Sequence, residues 1–164
     1  IGAGAIGSRV AAIAAAFGCQ VYAYSRTPKG LPGVTFTEPD TLLSTCDIVS
    51  LHVPATPQTH HLINAEKLAL MKPTALLINT ARGPVVDSQA LADTLNSGRL
   101  AGAGIDVFEM EPPVPADHPL LTAKNVLATP HVAFATAQSM EKRAVLVCDN
   151  LKAWLDGKPI HQIC

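Results

Sequence analysis

The chain begins with the glycine-rich stretch Gly2-Ala3-Gly4-Ala5-Ile6-Gly7, which is the strongest indication of its fold. In this GxGxxG pattern the first glycine permits a tight turn, and the second admits a close backbone approach to a pyrophosphate. The third glycine lets the following helix pack close to a strand. Apolar residues recur at helical spacing from Ile6 to Phe17, and Gly18 follows as a stop. The stretch predicts a dinucleotide-binding turn, with a plain structural glycine turn as the alternative.

Strand-like and helix-like segments alternate along the rest of the chain. Strands are predicted over residues 21–24, 48–53, 75–79, 101–107 and 126–129, and helices over 39–43, 65–71, 87–97 and 135–155. Alternation of this kind favours a parallel sheet that is covered by helices on both faces. We therefore predict a Rossmann-type doubly wound parallel sheet with three α/β/α layers, formed by residues 1–150.

The glycine-rich turn normally follows the strand at the centre of such a sheet, yet only Ile1 precedes it here. We expect the first strand to be truncated in this sequence and the natural protein to continue upstream of Ile1.

Composition excludes several classes of partner. The 164 residues carry a net charge of −1, which offers no electrostatic attraction for nucleic acid or an anionic membrane. No apolar run has the length of a transmembrane helix. Cys19, Cys46, Cys148 and Cys164 form neither a CxxC pair nor a Cys/His cluster, so no metal site is predicted. We expect reduced thiols in a cytoplasmic protein, three of them buried.

The end of the second predicted strand bears on the choice of dinucleotide. An NAD-selective site usually carries Asp or Glu about 20 residues after the motif, where the carboxylate binds the ribose 2′-OH. Tyr24-Ser25-Arg26-Thr27 contains no carboxylate. Ser25 can donate a hydrogen bond to a phosphate, and Arg26 can pair with one. This stretch favours NADP over NAD, unless Arg26 is only a solvated surface charge.

Three chemically active side chains each follow a predicted strand, at the sheet edge where ligands bind. Arg82 can hold a carboxylate through two parallel hydrogen bonds. His131 can exchange a proton near neutral pH, and Glu111 can orient its imidazole. Each has a structural alternative, namely a loop salt bridge for Arg82, a structural histidine for His131, and a solvated charge for Glu109 or Glu111.

The phrases around these residues resemble the D-isomer-specific 2-hydroxyacid dehydrogenases. The resemblance rests on residues 78–87 (INTARGPVVD), 104–112 (GIDVFEMEP) and 129–131 (TPH), with residues 50–54 (SLHVP) and 117–120 (DHPL) in support. It covers nearly the whole chain. The resemblance implies reversible reduction of a 2-oxo acid to a D-2-hydroxy acid with NADP or NAD, with Arg82 on the substrate carboxylate and His131 paired to Glu111 as acid and base.

The same resemblance implies a set of cofactor contacts. Asp106 is expected to meet the nicotinamide carboxamide. The other expected contacts are Gly2, Gly4, Ala5, Ile6, Gly7, Ser25, Arg26, Thr27, Val53, Pro54, Thr80, Ala81, Arg82 and His131.

Family members build a substrate domain largely from residues upstream of the glycine turn. By resemblance, residues 151–164 cross toward that domain, and the natural protein forms a homodimer through the present domain. The chain alone is expected to turn over little, because only one wall of the cleft is present. Glyoxylate, hydroxypyruvate, pyruvate and phosphoglycerate are all compatible substrates.

Two relatives with other functions are the alternatives. A dinucleotide-sensing corepressor-like protein on the same fold can keep Arg82, Glu111 and His131, so these residues do not exclude it. A formate dehydrogenase pairs its catalytic histidine with Gln, whereas Glu111 stands here.

Overall fold

Six parallel strands form two separate sheets in the computed structural model, which describes residues 1–27, 30–111 and 113–162. The first sheet pairs β1 (Val21–Ala23) with β2 (Val34–Phe36). The second has the order β3-β4-β5-β6 and consists of β3 (Ile48–Leu51), β4 (Leu76–Asn79), β5 (Gly102–Ile105) and β6 (Val126–Ala128). The parallel sheets and flanking helices confirm the predicted Rossmann-like α/β fold. The short strand β2 was not predicted.

The described residues divide into two compact units, of which the first is Ile1–His131 and the second begins at Val132. The helices of the first unit are α1 (Ala5–Ala16), α2 (Pro39–Thr45), α3 (Ala65–Leu70), α4 (Ser88–Asn96) and α5 (Pro119–Thr122). A 3₁₀ turn covers Gly83–Val85. The second unit contains α6 (Ala137–Leu155), which begins with a capping box between Thr136 and Ser139.

Local signals account for several helix ends. Asp87 caps α4 as predicted, because its carboxylate accepts a hydrogen bond from the amide of Ala90 at 3.0 Å. Pro39 occupies the first turn of α2, where its missing N–H costs nothing. Helix α5 was not predicted, since four residues are too few for a periodic pattern.

The core of the first unit lies on one face of the four-stranded sheet. Leu51, Leu77 and Ile105 alternate along β3, β4 and β5 with less buried neighbours, and each is at most 2% exposed. Leu91 and Leu95, one turn apart on α4, belong to the same cluster. This packing holds the loops at the carboxyl ends of the strands on a rigid support.

Ile1 and Gly2 tie the two sheets together. The amino group of Ile1 donates to the Ser50 carbonyl at 2.8 Å, and the His52 amide donates to the Ile1 carbonyl at 2.8 Å. The Gly2 amide donates to Tyr24 at the end of β1, also at 2.8 Å. Ile1 therefore pairs with the end of β3 through the hydrogen-bond pattern of parallel strands.

A cavity of about 730 Å³ lies between the two sheets, lined by residues of β1, β3 and α1. The cavity separates β1 from β3, which are not paired with each other.

The apolar residues of α1 do not face the sheet. Ile6, Ile13 and Phe17 are 69%, 57% and 84% exposed, whereas Gly7 and Ala11 are buried. A Cβ on Gly7 would lie 1.9 Å from the carbonyl oxygen of Gly2, so only the small-residue face of the helix fits against the turn. Close packing thus outweighs the apolar spacing in setting which face is covered.

The expectation of three buried cysteines is wrong for the described residues. Cys19 and Cys148 are exposed and Cys46 is half-buried, and all three are free thiols. Cys164 lies outside the described residues. Within 1–27, 30–111 and 113–162, no helix combines the length and apolarity needed to cross a membrane.

Candidate active site

The glycine-rich turn is shaped by contacts that only glycine permits. Gly2 has a φ of +96°, and a Cβ there would lie 2.5 Å from the His52 carbonyl oxygen. The same Cβ would lie 2.9 Å from Val53, so the end of β3 packs directly on the turn. Gly2 and Gly7 are therefore required by the protein's own packing.

Gly4 differs from these two glycines because, apart from its own neighbours in the chain, no atom lies within 4 Å of the position of its Cβ. It is exposed and immediately precedes Ala5, the first residue of α1. The first turn of α1 contains no acidic side chain. An open glycine beside the amides and positive dipole of a helix start suits a phosphate group, so these residues fit a dinucleotide.

Ser25, Arg26 and Thr27 follow β1 directly. The Ser25 hydroxyl donates to the Thr27 carbonyl at 2.9 Å, while Arg26 and Thr27 are exposed. The bond from Gly2 to Tyr24 holds this segment next to the glycine turn. The structure therefore places the predicted cofactor-selecting residues beside the predicted phosphate site.

The loop after β4 presents Arg82. Asn79, 1% exposed, accepts a hydrogen bond from the Ala81 amide at 3.0 Å and donates one to the Arg82 carbonyl at 3.0 Å. The exposed Arg82 guanidinium donates to the Ala81 carbonyl at 2.6 Å. Thr80 is exposed as well. Asn79 thus fixes the backbone that carries the arginine.

The ends of β4, β5 and β6 are linked through Asp106. Its amide donates to the Asn79 carbonyl at 3.0 Å, and its carboxylate accepts a hydrogen bond from the hydroxyl of Thr129. Asp106 is 3% exposed. A buried carboxylate costs free energy unless it is hydrogen-bonded, and the bond from Thr129 offsets part of that cost.

Glu111 and His131 meet at the same edge. One carboxylate oxygen of Glu111 accepts from the Phe108 amide at 2.6 Å, and the other bonds to Nδ1 of His131. The two side chains are 23% and 39% exposed. His131 has a φ of +54°, an uncommon conformation for a residue other than glycine that often occurs at functional sites. Glu111 therefore holds the imidazole through Nδ1.

Comparison with known proteins places the chain in a family. Residues 1–133 match the family model described as "D-isomer specific 2-hydroxyacid dehydrogenase, NAD binding domain". The chain belongs to this family. The predicted resemblance is thereby confirmed, and so is the assignment of the glycine-rich turn to an NAD-binding domain. The formate dehydrogenase and corepressor-like alternatives receive no support from the matches.

Several dehydrogenases and reductases are similar to this family member. It is 53% identical to glyoxylate reductase of Thermofilum pendens over 128 residues, which cover 78% of this chain and 38% of that protein. The structure of a D-lactate dehydrogenase from Treponema pallidum aligns at 37% identity and a TM-score of 0.91, covering 98% of this chain and 53% of that one. An acyclic imino acid reductase in complex with NADPH and D-Arg aligns at 34% identity and a TM-score of 0.91, covering 99% and 52%.

The chain spans about half the length of the curated relatives it matches. It therefore corresponds to one portion of each of those relatives.

Several positioning contacts of this family member were missed in the sequence. Asn79, Thr129 and Gly83 organise the loops but carry no chemistry of their own that would single them out. Asn79 could have been recognised as a polar residue at the end of a buried strand, because a buried polar side chain needs hydrogen-bond partners. Thr129 stands beside the quoted Pro130 and His131, yet its partner Asp106 is 23 residues away. Only the folded chain brings that pair together.

Proposed function

We propose that this chain is the dinucleotide-binding and proton-transferring half of an NAD(P)-dependent enzyme that interconverts a 2-oxo acid and a D-2-hydroxy acid. The contact that carries the proposal is the one between Glu111 and Nδ1 of His131, at the same sheet edge as Arg82. Family membership and the names of the relatives support the reaction class.

The cofactor would be held along the carboxyl edge of the strands. Its pyrophosphate would lie over Gly4, Ala5 and Ile6, and its nicotinamide would lie near Ala81 and Asp106. Val53, Pro54 and Thr80 follow neighbouring strand ends and would complete the cleft. The bound nicotinamide supplies the hydride chemistry, while the protein orients both reactants.

Proton transfer is assigned to Nε2 of His131, because Glu111 holds Nδ1. During reduction, the Nε2 proton passes to the oxygen of the substrate carbonyl, which becomes the hydroxyl. Before the transfer, the Nδ1 hydrogen bond to Glu111 stabilises the charged imidazolium. Throughout the reaction the same bond holds the ring in its orientation. Arg82 binds the substrate carboxylate through its planar guanidinium, which sets the carbonyl in place.

The substrate class is a small 2-oxo acid and its D-2-hydroxy product. Glyoxylate and lactate appear in the names of two relatives, which are 53% and 39% identical to this chain. Glyoxylate, pyruvate, hydroxypyruvate and phosphoglycerate all offer the carboxylate that Arg82 requires. The selecting contacts belong to the second wall of the cleft, which we propose is formed by a separate substrate domain.

The decisive experiment is an activity assay of the full natural protein against a panel of 2-oxo acids with NADH and NADPH. His131→Ala should lower kcat by about 10²–10⁴-fold and leave cofactor binding within twofold, because the imidazole acts in proton transfer. The matched control is His60→Ala, since His60 is exposed and lies in another loop. Unchanged kcat in His131→Ala, or no reduction of any 2-oxo acid by the unmodified protein, would exclude the proposal.

We further propose a preference for NADPH, supported by Ser25, Arg26 and the absence of a carboxylate in this segment. Arg26→Gln should raise the KM for NADPH about tenfold and leave the KM for NADH unchanged, because a 2′-phosphate loses its charged partner. Arg9→Gln on exposed α1 is the matched control. A lower KM for NADH than for NADPH in the unmodified protein would contradict this preference.

The organisation of the whole protein follows the same proposal. Residues 1–150 form the dinucleotide-binding domain and 151–164 lead toward the substrate domain, with no appreciable turnover by the chain alone. We propose a cytoplasmic homodimer, supported by the scattered cysteines and by the exposed apolar face of α1. Sedimentation equilibrium of the full natural protein tests the dimer, and a monomeric mass would exclude it.

A further inference from the structure

Two glutamates lie on the loop after β5, and they have different partners. Glu111 bonds to His131, whereas Glu109 turns to a second histidine, His118. One carboxylate oxygen of Glu109 bonds to Nε2 of His118 at 3.0 Å, and the other accepts from the Ser88 amide at 3.3 Å. His118 is only 7% exposed. A buried histidine paired to a glutamate outside the proton-transfer pair requires an explanation.

The neighbours of His118 determine which nitrogen carries its proton. The Leu120 amide donates to Nδ1 at 3.3 Å, so Nδ1 offers a lone pair and Nε2 carries the hydrogen that Glu109 accepts. The Phe108 ring meets the imidazole edge-on, with centroids 5.2 Å apart. His118 thus connects the loop after β5 to the start of α5. Glu109 connects the same loop to the start of α4.

The tethered loop is the one that presents Glu111. The Phe108 amide donates to Glu111, and the peptide between Phe108 and Glu109 packs on Gly83, where a Cβ would lie 1.9 Å from the Phe108 carbonyl carbon. A shift of Glu109 would therefore move the amide that orients the Glu111 carboxylate. It would also move the backbone next to Arg82.

We propose that Glu109 and His118 are positioning residues that set the orientation of Glu111 toward His131. The proposal rests on the proposed function, in which Glu111 and His131 form the proton-transfer pair. Neither Glu109 nor His118 contacts the reactants; their effect reaches the reaction through Glu111.

Glu109→Gln is the sharpest single test of the pair. Both carboxylate oxygens of Glu109 accept hydrogen bonds, one from His118 and one from the Ser88 amide. The amide of Gln has only one acceptor oxygen, so either His118 or the Ser88 amide would face an N–H group. We expect kcat of the full natural protein to fall roughly tenfold, because small misplacements of catalytic groups have effects of this size. The Kd for the reduced cofactor should stay within twofold. Glu38→Gln, an exposed residue at the start of α2, is the matched control.

Variants of His118 complete the comparison. His118→Ala should lower kcat to a similar degree, and His118→Gln should restore most of it, because its amide supplies an N–H near the position of Nε2. If His118→Gln is as impaired as His118→Ala, a donor to Glu109 is not what the site needs and the proposal fails.

A double-variant cycle separates positioning from general structural support. Once Glu111→Gln has removed the carboxylate, Glu109→Gln should have little further effect on kcat. The reason is that Glu109 affects the reaction only by orienting that carboxylate. If the loss of kcat in the double variant equals the product of the losses in the two single variants, the proposal is overturned. An unchanged kcat in Glu109→Gln alone would overturn it as well.

A measurement independent of turnover keeps this proposal distinct from the proposed function. The Nδ1–H proton of His131, assigned as the NMR signal lost in Glu111→Gln, should broaden or disappear in Glu109→Gln. An unchanged signal would overturn the positioning role. If the full protein reduced no 2-oxo acid, the proposed function would fail, while this signal would still decide whether Glu109 orients Glu111.

Discussion

His131 and Arg82 differ in how firmly their neighbours hold them. His131 is bonded to Glu111 through a single nitrogen, and its backbone adopts a φ of +54°. The Arg82 side chain bonds to the Ala81 carbonyl, and within the described ranges none of the ion pairs involves it. The histidine is thus preorganised by the fold, whereas the arginine is poised to bind a carboxylate.

Arg82→Lys tests this difference at the residue scale. A lysine keeps the positive charge but loses the planar pair of donors, so we expect the KM for the 2-oxo acid to rise roughly tenfold or more. The KM for the cofactor should change little. The measurement is steady-state kinetics of the full natural protein. Arg99→Lys is the control because the exposed Arg99 side chain donates to nearby Ser97, away from the proposed site. Equal KM values for the 2-oxo acid in Arg82→Lys and the unmodified protein would remove the carboxylate-binding role.

The loops that end β4 and β5 act as one element because they are in direct contact. Gly83 opens the 3₁₀ turn after Arg82 and is buried against the peptide between Phe108 and Glu109. Two hydrogen bonds of Asn79 hold the first loop, and Glu109 holds the second. Arg82 and Glu111 therefore depend on the same backbone contact.

Gly83→Ala should disrupt that contact. The added methyl would lie 1.9 Å from the Phe108 carbonyl carbon and 2.4 Å from the Glu109 amide nitrogen, so backbone must move. We expect a loss of about 1–3 kcal/mol or more in the free energy of unfolding, together with a lower kcat. Urea unfolding measures the first effect, and Gly30→Ala is the control because its Cβ position is open. A variant as stable and active as the control would show that the loops separate freely.

At the scale of the first unit, the 164-residue chain places its terminal amino group in the junction between the two sheets. Burial lowers the pKa of the Ile1 amino group from 8.0 to about 6, although a Cys46 thiolate opposes the shift. Burial also lowers the pKa of nearby His52, and the Ile1 ammonium lowers it further. Both shifts mean that the folded 164-residue chain disfavours a charge at this junction.

This linkage predicts the effect of N-terminal acetylation on the 164-residue chain. The Ile1 amine has its ordinary pKa when unfolded, so the unfolded chain binds more protons between about pH 6 and 8, and stability falls as pH falls through that window. Acetylation removes the charge yet keeps an N–H for the Ser50 carbonyl.

The acetylated chain should be more stable than the free chain by roughly 2–3 kcal/mol below pH 6, and the difference should shrink toward a constant above pH 8. Urea unfolding of both forms across this range gives the comparison. Both forms contain every histidine, so the difference reports the amine together with its coupling to His52. A difference that does not vary with pH would contradict the prediction.

Much of the fold was predictable because its signals are local. The glycine turn, the cap at Asp87 and the alternation of strands with helices each reflect interactions within a few residues. The same holds for the placement of Arg82, Glu111 and His131 past strand ends, since strand direction brings all such ends to one edge. The choice between Glu109 and Glu111 came from resemblance, because two glutamates on one loop have the same chemistry.

Long-range packing decided the features that local patterns could not. The covered face of α1 follows from the steric limit at Gly7, and the exposure of Cys19 and Cys148 follows from where their helices and turns lie. The partners of the two glutamates are 9 and 20 residues away in sequence, so only the folded chain shows that Glu109 takes His118 and Glu111 takes His131. Sequence spacing therefore specified the elements and the chemistry they carry, while close packing and hydrogen-bond geometry, which depend on three-dimensional proximity, specified which side chains act on one another.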